Sequence, residues 1–409
     1  MKILFIVRNE IIPTSGGVER VTSILTEVLK KKEQSVHIIY TGITGILDKK
    51  RHCGINFAFL PTPDSISDIS NFEFIRDYIV HNGIEIVINQ NTNPNIAHYL
   101  RKITGYDFRV ISCIHTPLLT PEILFDYHLA SAYKVGPVQR LKTVVKMAAR
   151  NRLGRKYFNN YIRDLSIIFQ SSDVCVVPSI YQIAEYRTLL GENVDCDIIA
   201  LSHPLTFPTQ DIDMTLAGKA NIVLAVSRLE RASKRIDLLL RAWSDVSHKY
   251  PDWQLVIVGG GGHNSTNDPQ ERELLLLKRL SRKLDLKNVV FPGRQDPLEF
   301  YKSASIFALT SASEAWGMSL VEAQQFGCAP VVFRSFSALD EIVTHEVNGL
   351  SVPFGEVGEF AKAIKSLIDD PKMRERIARN AARSTHRFCS KTIADKWLQL
   401  FEDLKNQRS

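Results

Sequence analysis

The chain has 409 residues, of which 44% are hydrophobic and 23% are charged, and its net charge is +7. These proportions are typical of a globular protein and exclude a disordered chain or one buried in a membrane. Because a single hydrophobic core stops growing near about 250–300 residues, the length predicts two domains.

The six cysteines are scattered and form no C-x-x-C pair, a pattern typical of reduced thiols in a cytosolic protein. The first residues, MKILFIVRNE, regain charge at Arg8, which predicts a first strand rather than a signal peptide. No run approaches the about 18 apolar residues that a membrane-spanning helix needs. We therefore expect a cytoplasmic protein.

Short apolar runs rich in β-branched residues alternate with helical stretches through the first half of the chain. The runs are KILFIV, SVHIIY, IEIVIN, FRVISCIH and VCVVP, and a helix is predicted over Val18–Lys30. This alternation predicts parallel strands joined by crossover helices. The stretch between His203 and Ala220 contains two prolines and no periodicity, which is typical of a linker.

The alternation restarts at Asn221 with the runs NIVLAVSRL, WQLVIVGG, NVVFPG, SIFALTS, APVVFR and GLSVP. A final amphipathic helix is predicted over Lys391–Leu404. The sequence thus predicts an α/β fold of two doubly wound units. We predict a first domain over 1–205, a linker over 206–219, a second domain over 220–388, and a C-terminal helix within 389–409 that packs back on the first domain.

A basic segment runs from Tyr127 to Arg163, with nine basic residues, no acidic ones and interleaved apolar side chains. Two interpretations stand side by side: a solvated helical hairpin, or an element that contacts anionic lipid headgroups through Lys134–Arg163. No nucleic-acid-binding motif accompanies the segment, so we expect no nucleic-acid partner.

Two glycine clusters follow predicted strands. Gly16 and Gly17 precede the first helix, where glycine lets backbone amides approach an anion, although a plain turn is the commoner explanation of such a pair. The cluster that begins at Gly259 follows WQLVIV directly and predicts a tight strand end with close backbone approach.

Arg228 and Lys234 lie between the strand NIVLAVS and the helix that follows it. Ligands bind at the carboxyl ends of strands in open α/β sheets. Two cations there can neutralise a diphosphate and stabilise it as a leaving group, whereas an ordinary surface basic pair is the alternative.

The segment SASEAWGMSLVEA predicts a helix start near Gly317, with Glu314 and Glu322 on either side of it. Backbone amides from Trp316 to Ser319 can bind an anion at the positive end of the helix. The carboxylates can accept hydrogen bonds from vicinal hydroxyls of a sugar or a ribose. Helix capping is the alternative role for Glu314.

Together these motifs resemble the retaining glycosyltransferase family four, also called group 1, which has the GT-B fold. The resemblance rests on E-x7-E with GMSLVEA, SRL…SK, GGVER and the VVP of the strand that ends at Pro178. It covers nearly the whole chain and is most specific in the C-terminal half. It implies two Rossmann-like domains whose parallel sheets face each other across a cleft.

The resemblance also implies roles for individual residues. It implies that Glu314 contacts the sugar hydroxyls, that Glu322 binds the ribose, and that Arg228 and Lys234 bind the diphosphate. It also implies that His115 lies by the donor sugar, although an ordinary strand-end histidine is the alternative. The implied catalytic residues are His115, Glu314, Arg228 and Lys234, and the implied donor-binding residues are Gly16, Gly17, Arg228, Lys234, Gly259, Arg294, Glu314, Trp316, Gly317, Met318, Ser319 and Glu322.

The sequence departs from the family pattern on both sides of Lys234. Ser233 stands where an acidic or small residue is usual, and Arg235 stands where glycine is common.

The implied reaction is retaining transfer of a hexose or N-acetylhexosamine from a nucleotide diphosphate sugar, with UDP as the expected carrier. The implied acceptor is a glycan or a lipid-linked molecule in bacterial cell-surface polysaccharide or lipopolysaccharide synthesis, at the inner face of the cell membrane. We expect no metal and no cofactor, and we discount the two D-x-D tripeptides, Asp195–Asp197 and Asp211–Asp213. The alternatives are a nucleotide-sugar 2-epimerase and a non-catalytic sugar-nucleotide-binding subunit.

Overall fold

The structure is a computed structural model that describes residues 1–9, 11, 16–42, 54–91, 93–120, 123, 149–191, 194, 196–208, 212–260 and 269–407. Contacts within the chain divide it into two compact units. The first unit consists of Met1–Thr116, Asn159–Thr206 and Phe388–Ser409, and the second consists of Pro117–Phe158 and Phe207–Arg387.

The first unit contains a seven-stranded sheet in the order β3-β2-β1-β4-β5-β6-β7, in which every neighbouring pair is parallel. Its strands are β1 (Lys2–Val7), β2 (Ser35–Tyr40), β3 (Asn56–Phe59), β4 (Ile86–Asn89), β5 (Arg109–Cys113), β6 (Val174–Val177) and β7 (Asp197–Ala200). The helices between them are α1 (Gly17–Lys31), α2 (Ile69–Asn82), α3 (Pro94–Lys102), α4 (Arg150–Gln170) and α5 (Ile180–Leu190).

Both faces of this sheet are buried, which explains why its central strands are apolar without interruption. Successive side chains of β1 point to opposite faces, so Phe5 packs in one hydrophobic cluster and Leu4 in another. The C-terminal helix, Ser390–Asn406, lies on the first of these faces, where Trp397 and Phe401 join Leu25 of α1. The last helix of the chain therefore completes the core of the first unit.

The second unit contains a six-stranded parallel sheet in the order β10-β9-β8-β11-β12-β13. Its strands are β8 (Ala220–Val226), β9 (Gln254–Val258), β10 (Val289–Gly293), β11 (Ala304–Leu309), β12 (Ala329–Arg334) and β13 (Leu350–Pro353). Its helices are α6 (Ile212–Leu216), α7 (Arg231–Lys234), α8 (Ile236–Ser247), α9 (Pro269–Lys283), α10 (Leu298–Ser303), α11 (Met318–Gln325), α12 (Leu339–Ile342), α13 (Val357–Asp369) and α14 (Pro371–Ser384), and a short 3-10 helix spans Thr385–Phe388.

The two parallel sheets confirm the predicted α/β architecture of two doubly wound units. Two strands, β3 and β7, are absent from the predicted runs. Each has four residues, lies at a sheet edge and is only partly buried, so it carries little apolar signal.

Each sheet reverses its strand order at one place. In the first sheet β1 lies beside β4, and in the second β8 lies beside β11. The loops that leave two such strands diverge and leave a crevice at their carboxyl ends, where ligands bind in open α/β sheets. These two switch points are where the candidate site residues have to be sought.

Candidate functional site

The switch point of the second sheet brings two predicted residues into direct contact. Lys234 ends the short helix after β8, and Glu314 lies in the loop after β11. Lys234 Nζ lies 2.5 Å from Glu314 Oε1, and each side chain is only 14% exposed. Glu314 Oε1 also accepts a hydrogen bond of 2.7 Å from Ser311 Oγ. The predicted phosphate-binding cation and the predicted sugar-binding carboxylate are thus held together as a half-buried ion pair.

Backbone contacts tie the same two loops together. The amide of Ala312 donates to the carbonyl of Ser233 at 2.6 Å, and Thr310 Oγ1 donates to the carbonyl of Lys234 at 3.1 Å. Nearby, the hydroxyl oxygens of Ser227 and Ser313 are buried and have no hydrogen-bond partner among the residues that the structure describes. An unpaired buried hydroxyl is costly, so these two groups favour a polar ligand at this position.

Arg228 lies at the same strand end but stays exposed. Its side chain is 64% exposed, and its closest carboxylate is Glu230, at 3.7 Å. An ion pair that is so exposed contributes little to stability. Glu230 is itself oriented by Ser233 Oγ, which donates to it at 2.9 Å. The guanidinium of Arg228 can therefore turn toward an anion at little cost.

Arg235 adopts the left-handed conformation, with φ of 49° and ψ of 39°, between α7 and α8. Glycine adopts this conformation without strain, which agrees with its frequency after the lysine in the family pattern. The Arg235 side chain makes two contacts with the buried Asp237 carboxylate, at 3.1 Å and 3.2 Å. This ion pair offsets the backbone strain, so the substitution leaves the loop beside Lys234 in the conformation expected for glycine.

The helix α11 begins at the same crevice. Gly317 precedes it with φ of 92° and ψ of 52°, and no side chain caps the helix start. The first amides of a helix have no partner within the helix, so those of Met318 and Ser319 can donate to an anion at the positive helix end. Trp316, just before this turn, is buried.

Glu322 lies on α11 and is only 2% exposed. Tyr301 Oη donates to Glu322 Oε2 at 2.8 Å. The Tyr301 ring is itself fully buried and stacks on Phe326 at a centroid distance of 6.2 Å. Sequence reasoning named the carboxylate but missed the tyrosine that orients it.

Gly259 and Arg294 follow neighbouring strands of the second sheet, β9 and β10. A Cβ atom on Gly259 would lie 1.9 Å from the carbonyl oxygen of Ser227, and its φ is 151°. The Gly259 amide donates to the carbonyl of Gly293, the residue before Arg294, at 2.9 Å. Only glycine fits at 259, because the end of β9 runs directly against the loop that carries Arg228.

In the first unit, Gly16 and Gly17 lie at the start of α1. Gly16 is in extended backbone, and a Cβ on it would lie 2.4 Å from Glu19 Oε2. Glu19 Oε1 accepts a hydrogen bond from Asn9 Nδ2 at 2.9 Å. The absence of a side chain at Gly16 therefore leaves room for the Glu19 carboxylate beside the positive helix end.

His115 follows β5 and forms a chain of hydrogen bonds with two residues that the sequence analysis missed. His115 Nε2 lies 2.6 Å from Gln90 Oε1, and His115 Nδ1 lies 3.1 Å from His203 Nε2. Burial lowers the pKa of His115 to about 4, and burial together with the neighbouring His115 lowers the pKa of His203 well below its ordinary value. Gln90 follows β4 and His203 follows β7, so inspection of every strand end would have found both.

The described part of the basic segment is the start of α4. Arg152, Arg155, Lys156 and Arg163 are exposed there, whereas Lys134, Arg140, Lys142 and Lys146 lie outside the described residues. In the part of the chain that the structure describes, no helix combines the length and apolar character needed to cross a membrane. Each D-x-D tripeptide has its first aspartate, Asp195 or Asp211, outside the described residues.

Comparison with known proteins matches residues 207–384 to the family described as glycosyl transferases group 1. These bounds nearly coincide with the Phe207–Arg387 part of the second unit. An uncharacterized glycosyltransferase from Haemophilus influenzae is 29% identical over 203 residues, which cover 49% of this chain and 54% of that protein. The lipopolysaccharide core biosynthesis glycosyltransferase LpsD from Rhizobium meliloti is 29% identical over 235 residues, which cover 56% of this chain and 63% of that protein.

The matched region thus spans little more than half the length of these curated relatives. The fold likeness extends further. The crystal structure of Anabaena Alr3699/HepE in complex with UDP superposes with a TM-score of 0.70 and 16% identity, covering 98% of this chain and 100% of the other. The chain therefore has the GT-B fold, and its residues 207–384 match the group 1 glycosyltransferase family.

Proposed function

We propose that the protein transfers a hexose or an N-acetylhexosamine from a nucleoside diphosphate sugar to a glycan or lipid-linked acceptor. The observation that carries this proposal is the Lys234–Glu314 pair beside the uncapped start of α11, at the switch point of a Rossmann-like sheet. A cation and free helix amides suit a diphosphate, and a carboxylate suits sugar hydroxyls.

Several groups in this crevice could bind the donor phosphates. Arg228 is exposed and weakly paired, and the Oγ atoms of Ser227 and Ser313 are buried without partners in the described part of the chain. A diphosphate that replaced Glu314 as the partner of Lys234 would free that carboxylate for a sugar hydroxyl. UDP is the proposed carrier, because the related fold of Anabaena HepE was crystallised with UDP.

The proposed chemistry is substitution on one face of the sugar with retention of configuration. The bond between the anomeric carbon and the diphosphate oxygen breaks, and its electron pair leaves with the diphosphate. The acceptor oxygen attacks from the same face and passes its proton to the departing phosphate oxygen. Arg228, Lys234 and the α11 amides stabilise the charge that develops there, so the reaction needs neither a metal nor a cofactor.

The acceptor is proposed to belong to a cell-surface polysaccharide such as lipopolysaccharide, as the name of the Rhizobium meliloti relative suggests. The exposed basic residues at the start of α4 would attract an anionic membrane surface, about 1 kcal/mol for each cation near the headgroups. We therefore propose peripheral contact with the inner face of the cell membrane.

The first test is thermal stabilisation of the purified protein by UDP, GDP, ADP and their sugar conjugates, with a chelator present. A ligand at about 100 times its Kd stabilises the native state by about 2.7 kcal/mol. We expect one base to give a selective shift that survives the chelator. Failure of every nucleotide to raise the melting temperature, even with candidate acceptors added, would refute the donor assignment.

Turnover of the selected donor then tests the chemistry. Arg228→Gln should lower kcat/KM by about 10- to 1,000-fold while the protein stays folded. Arg76→Gln is the matched control, because Arg76 is also largely exposed and beside a carboxylate, Asp77. NMR of the product should show the anomeric configuration of the donor; inversion would refute the proposed substitution.

A further inference from the structure

The hydrogen-bonded chain Gln90–His115–His203 lies at the carboxyl edge of the first sheet, on the loops after β4, β5 and β7. Both ring nitrogens of His115 are engaged, one by each neighbour. The ring therefore cannot turn about its Cβ–Cγ bond without breaking both contacts. Gln90 and His203 are themselves buried, 5% and 7% exposed, so they have little room to follow such a rotation.

We propose that Gln90 and His203 act as positioning residues that lock His115 in one orientation as an uncharged imidazole. This inference deepens the proposed function and rests on it, because it assigns the lock to the histidine expected beside the donor sugar. Neither Gln90 nor His203 has to touch the substrate. Their effect on the reaction passes through the ring that they hold.

The hydrogen bonds fix which atoms are donors and which are acceptors along Gln90–His115–His203. With Gln90 Oε1 as acceptor, His115 Nε2 carries the proton, and His115 Nδ1 then accepts from His203 Nε2–H. Gln90 Nε2 is buried and has no hydrogen-bond partner among the described residues. Among the described residues, the contact with His115 is therefore the hydrogen bond that fixes the position of this amide.

The surroundings oppose a positive charge on His115. A small cavity adjoins the three side chains and is lined mainly by apolar groups such as Val176, Leu201 and Trp397. Among its described lining residues the remaining titratable side chain is Cys113, whose thiol pKa is raised by burial. Behind His115, Tyr186 Oη donates to the carbonyl of Thr116 at 3.0 Å, and burial raises the pKa of that phenol as well.

No carboxylate is therefore present among the described residues of this cavity to compensate an imidazolium ion. A buried charge without a partner is unfavourable, so the ring stays neutral near physiological pH. This agrees with the low pKa of His115, about 4. A neutral ring in a fixed orientation presents the same carbon edge to every donor molecule.

Matched variants separate hydrogen bonding from packing. His203→Gln keeps an amide donor at the position of Nε2, whereas His203→Met keeps only volume. Gln90→Met removes the amide, and Gln90→Glu replaces it with a carboxylate beside His115 Nε2. We expect His203→Met and Gln90→Met to lower kcat/KM by about 10- to 100-fold, and His203→Gln to stay within about threefold of wild type.

The readout that packing alone cannot produce is the protonation state of His115. In long-range proton–nitrogen NMR spectra of the wild-type protein, His115 should stay neutral and in one tautomer from about pH 5.5 to about 8. Gln90→Glu should raise the His115 pKa into that range and give kcat/KM a new pH dependence. Gln90→Met should leave the ring neutral but mixed in tautomer.

The low pKa values of the two histidines also predict how the free energy of unfolding depends on pH. The pKa values of His115 and His203 are lower in the folded state than in the unfolded state, so the folded state binds fewer protons below about pH 6.5. The contribution of His115 to the free energy of unfolding is lost as the pH falls from about 6.5 toward about 4, and the contribution of His203 is also lost as the pH falls below about 6.5. Gln90→Glu should reduce this acid destabilisation relative to Gln90→Met.

A protonated or tautomerically mixed His115 in the wild-type protein at neutral pH would refute the proposal that Gln90 and His203 hold this ring neutral in one orientation. Equal activity of His203→Met and His203→Gln would overturn it too. The spectra could show one His115 tautomer that depends on Gln90 and His203 while no nucleotide sugar is bound or turned over. That result would support the positioning of His115 and refute the proposed function. The two hypotheses therefore fail by different results.

Discussion

The ion pair between Lys234 and Glu314 should be strongly coupled, and a double-mutant cycle measures the coupling. The perturbations are Lys234→Met, Glu314→Gln and the two combined. Exposed ion pairs contribute about 0.2–1 kcal/mol, whereas removing one partner of a fully buried pair costs about 3–5 kcal/mol. With 14% exposure on each side, the pair lies between these limits. We expect a coupling of about 1–2 kcal/mol in the free energy of unfolding.

Urea denaturation of the four proteins gives the coupling, and assays with the donor identified by thermal stabilisation give the loss of activity. The matched control is the Lys362–Glu359 pair, whose side chains are 71% and 54% exposed. That surface pair should couple by about 0.3 kcal/mol. A coupling at Lys234–Glu314 no larger than in the control would refute the reasoning. So would full activity in either single variant.

Three further changes test individual contacts. Arg235→Gly should keep the loop conformation and near-normal activity, because glycine adopts positive φ without strain, as kcat/KM and thermal melting will show. Gly259→Ala should lower stability by about 2 kcal/mol or more, since its Cβ would collide with backbone, whereas Gly358→Ala, with open space at its Cβ, should not. Tyr301→Phe should weaken donor binding through Glu322 at a stability cost of about 1 kcal/mol, as calorimetry and melting will report.

Each of these has a result that contradicts it. An inactive Arg235→Gly variant with a normal melting temperature would mean that the guanidinium, and not the backbone conformation, serves the site. A stable Gly259→Ala variant would mean that the strand end can move away from the loop before Arg228. Unchanged donor affinity in the Tyr301→Phe variant would mean that Glu322 needs no orienting hydroxyl.

The strands were largely predictable because the centres of both sheets are buried on two faces, and such strands appear in the sequence as continuous apolar runs. The edge strands β3 and β7 carry no such run and were missed. The sheet orders were not predictable, since the adjacency of β8 and β11 depends on how the helices between them pack. For that reason the sequence identified Lys234 and Glu314 separately but gave no sign that they pair.

The residues of the candidate site likewise divide into those that the sequence could predict and those that it could not. Glu314 and Glu322 were found because their spacing belongs to a family pattern, whereas Gln90 and His203 belong to none. Gln90 was passed over because it directly follows the buried run IVIN, and His203 because it begins a stretch without periodicity. Their connection to His115 spans 25 and 88 residues of chain, which no local pattern can express.

The position of the C-terminal helix has a consequence for the order in which the chain is made. Leu25 and Phe5 are translated before the Phe207–Arg387 part of the second unit, whereas Trp397 and Phe401, which cover them, are translated after it. The second unit is complete by Arg387 and can fold while the first still lacks one side of its core. The first unit can therefore be completed only after the second has been translated, and one apolar face of its sheet stays uncovered until then.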